Sequence, residues 1–304
     1  MRLLILVDRL NWAYDAIAKA IVKFKKDDDL LIDILPIKGN IKEIKKKYKS
    51  YDRFLVVGWQ TYGKLHFLPS KDTLVGVHGY HAWDNKKSLP KNEAIPDEKL
   101  ITFLNQFRGV NAVSKRLFNL FKANGVKNIY CTQNGVDSDM FAPSTARPCK
   151  DFFVGYSGSK KHDWRKGVSE YILPAASKSK VIPRIAMLST DSYVTVDKMP
   201  QFYHSLNCYI CASSSEGFSL SVLEAASCGL PIISTKVSGS DELIVNNENG
   251  FLVDRNIDNI AEAILILKNN PEKCKLMGDN MRKTIVEKFC WSKKVSDWVD
   301  FIKR

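Results

Sequence analysis

The sequence predicts an α/β protein of two successive domains, each built on a parallel sheet. Its 304 residues suit two domains of about 150 residues each. Short apolar runs alternate with helical patterns along the whole chain, and continuous apolar strands between helices favour a parallel sheet covered on both faces. A segment rich in Pro, Ser and Thr, residues 142–151, separates the two series and is interpreted as a linker.

The first half contains six predicted strands. A helix over 12–24 follows the first of them, because apolar residues recur there at helical spacing. A second helix begins after Ser114, a suitable N-cap, and ends at Gly125. The predicted strands are residues 2–7, 30–35, 54–57, 73–78, 110–114 and 128–132.

The second half repeats this alternation with five predicted strands. Cys208 and Cys211 lie within one of them, and residues three apart on a strand point to opposite faces, so the pair is not expected to bind a metal or to act in redox chemistry. The seven scattered cysteines suit reduced thiols. The predicted strands are residues 152–157, 182–188, 208–213, 231–235 and 250–254.

The positive charge of the chain is concentrated in its first half. Residues 1–150 hold 26 Lys and Arg against 15 Asp and Glu, a net of +11, whereas residues 151–304 have a net of +2. Such a field attracts anionic membrane surfaces, nucleic acid or phosphorylated substrates. Residues 41–50 form a short basic amphipathic pattern compatible with an anionic membrane. The apolar run at the N-terminus is only five residues long, so we expect a cytoplasmic protein.

Ligands of parallel sheets bind outside the carboxyl ends of the strands, so the residues that follow each strand are the candidates for chemistry. No Gly-x-Gly-x-x-Gly follows the first strand, which argues against a nucleotide in the first domain. Asp8, Asn11 and Trp12 are instead candidates for contact with a second substrate. His78 ends a buried strand and is a candidate polar contact or proton carrier.

The first strand of the second domain leads into a basic loop. Glycines such as Gly158 let backbone amides approach an anion, and cationic side chains can neutralise a phosphate. The cationic or potentially cationic residues of this loop are Lys160, Lys161, His162, Arg165 and Lys166.

Two glutamates flank the start of a predicted helix in the run EGFSLSVLEAASCGLPIIST, residues 216–235. Glu216 falls in the turn after a strand, the helix is predicted to run from about Ser219 to before Gly229, and Glu224 lies further along it. The unsatisfied amides at such a helix N-terminus form a site for an anion.

This region resembles the signature of retaining GT-B glycosyltransferases of the family 4 type, also called group 1. The matching features are the two glutamates separated by seven residues, the Cys-Gly-x-Pro helix end, Ser-Gly-Ser-Asp-Glu and Asn-Gly-Phe-Leu-Val. Upstream, Asn-Gly-Val-Asp resembles the end of the family's N-terminal domain, so the resemblance covers about residues 110–304. It implies a GT-B fold, two Rossmann-like domains facing a central cleft. The implied N-terminal acceptor-side domain is 1–145 plus the terminal helix 290–304, and the nucleotide-sugar-binding domain is 151–289.

The resemblance also implies roles for individual residues. Glu224 would bind the ribose of the donor, Glu216 the donor sugar, and Lys166 a phosphate. The second phosphate contact stays open among Lys160, Lys161 and Arg165, since the family's spacing falls on Lys161. Gly158 would line the donor site, the diphosphate would lie along the amides of Gly217, Phe218, Ser219 and Leu220, and His78 would reach the sugar end. Asp8 and Trp12 are acceptor-side candidates from their place after the first strand, not from the resemblance.

The implied reaction is retaining, metal-independent hexosyl transfer from a nucleotide-sugar, UDP- or GDP-linked, to a saccharide or lipid-linked acceptor, as in polysaccharide biosynthesis. No cofactor or metal is expected, and nucleic acid is not expected as a partner. The alternatives are a nucleotide-sugar epimerase of the same fold, a DNA-modifying glycosyltransferase and a non-catalytic binder.

Two further enzyme classes fit the sequence less well. A GT-A enzyme would need a metal-binding Asp-x-Asp. Residues 27–29 lie between a predicted helix and a predicted strand, and 137–139 belong to the Asn-Gly-Val-Asp segment, so neither pair is expected to bind a metal. A glycoside hydrolase would use two carboxylates but would not need the basic loop.

Overall fold

The computed structural model describes residues 1–79, 94–144, 151–188 and 190–304 and divides them into two compact units. The first unit contains the described residues of 1–135 together with 291–304, and the second contains those of 136–290. The predicted linker, 142–151, lies largely outside the described residues.

The first unit is a six-stranded parallel sheet with helices between its strands. The strand order is β2-β1-β3-β4-β5-β6, and the residues from Leu3 to Val7 are fully buried, as expected for a strand covered on both faces. The strands are β1 Arg2–Val7, β2 Leu31–Pro36, β3 Arg53–Val56, β4 Thr73–Val77, β5 Gly109–Ala112 and β6 Ile129–Cys131, and the helices are α1 Ala13–Phe24, α2 Ile41–Lys47, α3 Glu98–Leu104 and α4 Lys115–Ala123.

The second unit is a five-stranded parallel sheet with strand order β11-β10-β9-β7-β8. Its strands are β7 Phe153–Ser159, β8 Ile182–Leu188, β9 Cys208–Cys211, β10 Ile232–Thr235 and β11 Gly250–Val253. Its helices are α5 Asp163–Lys166, α6 Leu173–Lys178, α7 Met199–His204, α8 Leu220–Ser227, α9 Ser240–Leu243, α10 Ile257–Asn269 and α11 Pro271–Thr284. Short 3₁₀ and π-helical turns include Lys160–His162, Val168–Ile172 and Ile285–Phe289.

Both sheets reverse their strand order at one point. The reversal lies between β1 and β3 in the first unit and between β7 and β9 in the second. In such sheets the connections leave neighbouring strands toward opposite faces, which opens a crevice at their carboxyl ends. The crevice of the second unit is therefore formed by the segments that follow β7 and β9.

The last helix, α12 (Trp291–Lys303), lies in the first unit. Trp298 is fully buried, and its indole N–H donates to the backbone oxygen of Gln133 at 3.0 Å. Arg53 donates to the backbone oxygen of Ile302 at 2.7 Å, and Lys303 pairs with Asp27. Apolar burial and these polar contacts together fix the helix beside α1.

The basic segment 41–50 does not present an apolar face to a membrane, contrary to the sequence-based expectation. It forms α2 and a following 3₁₀ turn, but Ile44 is fully buried. The Tyr48 ring packs 6.4 Å from that of Phe54 and 5.5 Å from that of Phe67. The apolar side of the segment is thus used inside the unit, and the surface left exposed is cationic, formed by Lys42, Lys45, Lys46, Lys47 and Lys49.

One aspartate of each Asp-x-Asp pair contacts other groups of the protein. Asp27 pairs with Lys303, and a carboxylate oxygen of Asp137 accepts from the backbone N–H of Asp139 at 3.2 Å and of Met140 at 3.1 Å. Within the described ranges, the helices are too short or too polar to cross a bilayer.

A glycine on α11 marks a close backbone contact and yields a stability prediction. A Cβ on Gly278 would lie 2.2 Å from the backbone oxygen of Gly229, which cannot rotate away. We expect Gly278→Ala to destabilise the fold by about 1–3 kcal/mol, as overpacking does. Around Gly63, by contrast, the described residues leave the same position open, so Gly63→Ala is the matched control. Equal urea midpoints for the two variants would contradict the prediction.

Candidate active site

The site of the second unit is formed by the two segments at its strand-order reversal. After β7 come the turn Lys160–His162 and the helix α5, and after β9 come residues 212–219 and the helix α8. Gly167, at φ 70°, ends α5, and a Cβ there would lie 2.9 Å from the backbone oxygen of Ala212. Glycine therefore allows the two segments to approach each other closely.

Three charged side chains from these segments form a buried ion cluster. Lys166 Nζ pairs with Glu216 Oε1, and Arg165 NH1 lies 3.9 Å from Glu216 Oε2. Arg165 also donates to the backbone oxygen of Ser215 at 2.9 Å, and the Ser213 hydroxyl donates to Glu216 Oε1 at 2.6 Å. The side chains of Arg165 and Glu216 are each only 8% exposed. The Glu216 carboxylate is therefore held rigidly.

The cluster determines the protonation of Glu216. Burial alone would raise the pKa of this carboxyl, but the charges of Lys166 and Arg165 outweigh burial and lower the pKa to about 2. At neutral pH Glu216 is an acceptor of hydrogen bonds and has no proton to donate. A general acid is therefore not available at this position.

Glu224 has a different environment. It lies on α8, partly exposed, and its Oε2 accepts from the Tyr203 hydroxyl at 2.7 Å. Burial raises the pKa of Glu224 to about 7, although the hydrogen bond from Tyr203 acts in the opposite direction. The charges of the two glutamates thus depend differently on pH. Glu216 stays ionised at neutral pH, whereas Glu224 titrates near neutrality.

Helix α8 begins between the two glutamates. Ser219 is extended, and the first backbone bond of the helix runs from the N–H of Leu223 to the oxygen of Ser219 at 3.2 Å. The N–H groups at residues 220–222 therefore have no acceptor in a preceding turn of the helix. Phe218 is 6% exposed and its ring lies 5.5 Å from that of Phe289, which anchors the loop before the helix. A helix N-terminus of this kind favours an anion.

The candidate phosphate-binding residues differ in how exposed they are in the structure. Lys160 and Lys161 are exposed on their 3₁₀ turn, whereas Arg165 is buried beside Glu216. Gly158 lies at the end of β7, directly before this turn. Burial, together with the charges of Arg165 and Lys166, lowers the pKa of His162 to about 4, so its ring is neutral at pH 7. Lys166 is the cation shared by the ion cluster and the crevice.

In the first unit, His78 lies against aromatic rings after β4. Its ring centroid is 4.8 Å from that of Tyr14 and 6.5 Å from that of Trp298. A Cβ on Gly76 would lie 2.6 Å from His78 Nε2 and 2.7 Å from Asn111 Oδ1, so glycine makes room for both groups. Burial lowers the pKa of His78 to about 3, and the imidazole is neutral at physiological pH.

The other predicted residues of the first unit follow β1. Asp8 Oδ2 lies 3.7 Å from Arg9 Nε, and the Arg9 guanidinium stacks on the Trp12 ring at 3.3 Å from its centroid. Asn11 has a left-handed backbone with φ 58°, and its N–H donates to buried Asp15 at 2.8 Å. Contacts within this loop thus order the Asp8 carboxylate and the Trp12 ring.

The sequence did not predict Ser213 or Tyr203 as site residues. Ser213 is three residues before Glu216 in the run SSSEG, a small-residue loop that could have indicated a hydroxyl near the acid. Tyr203 carries no comparable signal, because it reaches Glu224 from α7, 21 residues away in the chain.

The fold is that of the GT-B class, two units that are each built on a parallel α/β sheet, as the sequence predicted. A sucrose-phosphate synthase from Thermosynechococcus elongatus matches with a TM-score of 0.78 over 100% of this chain and 98% of its own, at 15% identity. HepE of Anabaena, solved in complex with UDP and glucose, matches with a TM-score of 0.73 over 99% of both chains, at 14% identity. At these identities the likeness shows the fold.

The sequence comparisons point to the same family as the motifs. Residues 190–284 match the family model described as Glycosyl transferases group 1, the family that the sequence resembles. A capsular polysaccharide biosynthesis glycosyltransferase, CapM of Staphylococcus aureus, is 33% identical over 107 residues, 34% of this chain and 28% of the relative. The chain spans about a third of the length of the curated relatives it matches.

Proposed function

We propose that this chain transfers a sugar from a nucleotide-sugar donor to a saccharide or lipid-linked acceptor, with retention at the anomeric carbon and without a metal ion. The observation that carries the proposal is the cluster of Lys166, Arg165 and Glu216 at the mouth of a doubly wound crevice, beside the N-terminus of α8. A basic group, a helix N-terminus and fixed acids at one crevice suit a diphosphate joined to two sugars.

The donor would lie along the crevice with its diphosphate between the two glutamates. Lys166 and the amides of residues 217–220 would hold the phosphates, Glu216 would accept from hydroxyls of the transferred sugar, and Glu224 would accept from the ribose. The structure of HepE with UDP and glucose supports a donor of this type, because that protein has the same fold. Fixed hydrogen-bond acceptors orient sugar hydroxyls.

In the proposed reaction the bond from the anomeric carbon to the phosphate oxygen breaks, and the acceptor oxygen bonds to the same face of that carbon. The acceptor's proton passes to the departing phosphate, whose growing negative charge Lys166 and the helix amides would stabilise. Each such donor is worth about 2.7–4 kcal/mol by analogy with oxyanion holes. Glu216, ionised with a pKa near 2, would orient the sugar.

The acceptor and the place of action follow from charge and from one relative. The name of CapM, a capsular polysaccharide biosynthesis glycosyltransferase, favours a saccharide acceptor for this chain also. The net charge of +11 over residues 1–150 and the exposed lysines of α2 suit peripheral contact with an anionic membrane on the cytoplasmic side. Such contact would be mainly electrostatic, because Ile44 of α2 is buried and the exposed residues of the helix are lysines.

The test is a thermal-shift screen with UDP-, GDP-, ADP- and CMP-sugars in EDTA. We expect one nucleotide to raise the melting temperature of the wild type, since a ligand that binds only the folded state stabilises it. Glu224→Ala should lose most of this shift, whereas Glu262→Ala, an exposed glutamate on α10, should keep it. No stabilisation by any nucleotide would overturn the proposal, and a donor that emerges epimerised without transfer would contradict it.

A further inference from the structure

We propose that Tyr203 is a positioning residue for Glu224: its hydroxyl holds one carboxylate oxygen, so that the other is presented in a fixed direction to the ligand. The inference rests on the proposed function, in which Glu224 accepts from the ribose of a nucleoside diphosphate. It adds a residue from a different helix, α7, to the residues that are proposed to bind the nucleotide.

The hydrogen bonds around Tyr203 have a defined direction. A phenol has one proton to donate, and the Tyr203 hydroxyl donates it to Glu224 Oε2 at 2.7 Å, as it must when the carboxylate is ionised. The contact between Ser157 Oγ and the Tyr203 hydroxyl, at 3.0 Å, must then be donated by the serine. Ser157 is thereby the second member of a directed chain that ends at the carboxylate.

A third hydroxyl lies beside this pair. The Tyr209 hydroxyl is 3.1 Å from Ser157 Oγ and donates to the backbone oxygen of Ser157 at 3.2 Å. The backbone N–H of Ser157 in turn donates to the Tyr209 hydroxyl at 3.0 Å. Hydrogen bonds that run in one direction polarise one another, which strengthens the last of them. The two directed hydrogen bonds, from Ser157 on β7 to Tyr203 on α7 and from Tyr203 to Glu224, therefore present a donor to the carboxylate.

The Tyr203 ring is held by packing, so its hydroxyl cannot move away. Tyr203 is fully buried. Its ring lies 5.9 Å from that of Tyr209, 6.0 Å from Phe141 and 5.5 Å from Phe202, each at an angle between 64° and 66°. Rings from three separate positions thus fix the phenol in the core of the unit.

Among the described residues, Tyr203 is the hydrogen-bond donor that the structure gives the Glu224 carboxylate. Glu224 is on a helix surface and partly exposed, and a glutamate has three side-chain torsions to order when it binds. With Oε2 engaged, Oε1 is the oxygen left for a hydroxyl of the ligand. The bond also favours the ionised form of Glu224, against burial, which raises its pKa to about 7. Tyr203 therefore supplies both orientation and charge.

The first experiment needs no ligand. The Glu224 carboxyl is titrated by carbon-13 NMR in the full chain labelled at glutamate, and its signal is assigned by its loss in Glu224→Gln. We expect Tyr203→Phe to raise the pKa of Glu224, and Ser157→Ala to raise it by less. Tyr156→Phe is the matched control, because Tyr156 is equally buried, stacks on Tyr209 at 6.5 Å, and its hydroxyl has no partner among the described residues.

The second experiment measures equilibrium binding of UDP, GDP and ADP by calorimetry at pH 7 and pH 9. We expect Tyr203→Phe to weaken the nucleotide that binds the wild type by about tenfold at pH 7, the loss of one hydrogen bond to a charged group. The loss should be smaller at pH 9, where Glu224 is ionised in both proteins. A purely structural defect would weaken binding equally at both values.

The outcomes separate this inference from the proposed function. If none of the three nucleotides binds the wild type, both fall. If one binds and Glu224→Gln weakens it, while Tyr203→Phe matches Tyr156→Phe in binding and in carboxyl titration, only the role of Tyr203 is overturned. Should Tyr203→Phe prove unstable, Ser157→Ala decides, and an unchanged pKa of Glu224 in that variant would overturn the inference.

Discussion

Replacing Lys166 by methionine is expected to lower donor turnover by about 100- to 1,000-fold, the effect of removing one charged donor worth about 2.7–4 kcal/mol. Methionine keeps much of the apolar stem of lysine and removes only the charge. That charge, paired with Glu216 in the ion cluster, is the one we place against the departing diphosphate. The measurement is release of nucleoside diphosphate, at saturation, from the nucleotide-sugar that stabilises the wild type.

A double variant tests whether Lys166 acts on turnover only by neutralising Glu216. Lys166→Met leaves Glu216 buried with Arg165 as its remaining cation, which also costs stability. Adding Glu216→Gln leaves Arg165 buried without an acid, so we expect the double variant to be no more stable than Lys166→Met and its turnover to stay low. Lys198→Met, at an exposed lysine of the same unit, controls for loss of positive charge. Recovery of turnover in the double variant would show that Lys166 only neutralises Glu216.

Much of the fold could be predicted from local patterns, because the strands are continuous apolar runs between helices. The predicted strand 208–213 was two residues too long: β9 ends at Cys211, and the chain leaves the sheet there to form the crevice. The strand order could not be predicted in the same way. That β7 pairs with both β8 and β9 depends on contacts between residues up to about fifty positions apart.

The amphipathic segment 41–50 shows a second limit of prediction from sequence patterns. Helical spacing identifies which residues share a face, and α2 forms as predicted. The pattern does not say what that face meets, and Ile44 is buried in the protein's own core. An apolar helix face can be buried in a membrane or in a protein core, so only the tertiary structure shows which of the two it contacts.

The candidate site also contains residues that the sequence could predict and residues that only the structure identifies. Glu216, Glu224 and Lys166 could be named from the sequence because short motifs carry them. The second cation could not, since the family's spacing indicates Lys161 but the structure buries Arg165 beside Glu216. Adjacent residues 165 and 166 both reach the carboxylate because α5 is a single turn that ends at Gly167. That geometry depends on the left-handed glycine as well as on the distribution of charge.

The buried carboxylate of Glu216 should make the stability of the fold depend on pH. Its pKa in the folded state is about 2, below the value of about 4.3 for an exposed glutamate. The unfolded chain therefore binds this proton more readily, and the stabilisation is fully present above about pH 5. It is lost as the pH falls toward 2, where the folded state must also take up the proton.

Glu216→Gln removes this charge and is expected to lower the free energy of unfolding at pH 7 by about 3–5 kcal/mol, the cost of breaking a buried ion pair. Lys166 and Arg165 then lie together without an acid between them, while the glutamine can still accept from Ser213. Urea unfolding of wild type and variant at pH 7, 4 and 3 measures the difference, with exposed Glu262→Gln as the control. The difference between wild type and Glu216→Gln should shrink as the pH falls from 7 to 3, because the unfolded wild-type chain then takes up a proton on Glu216 while the folded form keeps the carboxylate ionised. A difference that stays constant from pH 7 to pH 3 would mean that the side chain stabilises the fold by shape and hydrogen bonding, without its charge.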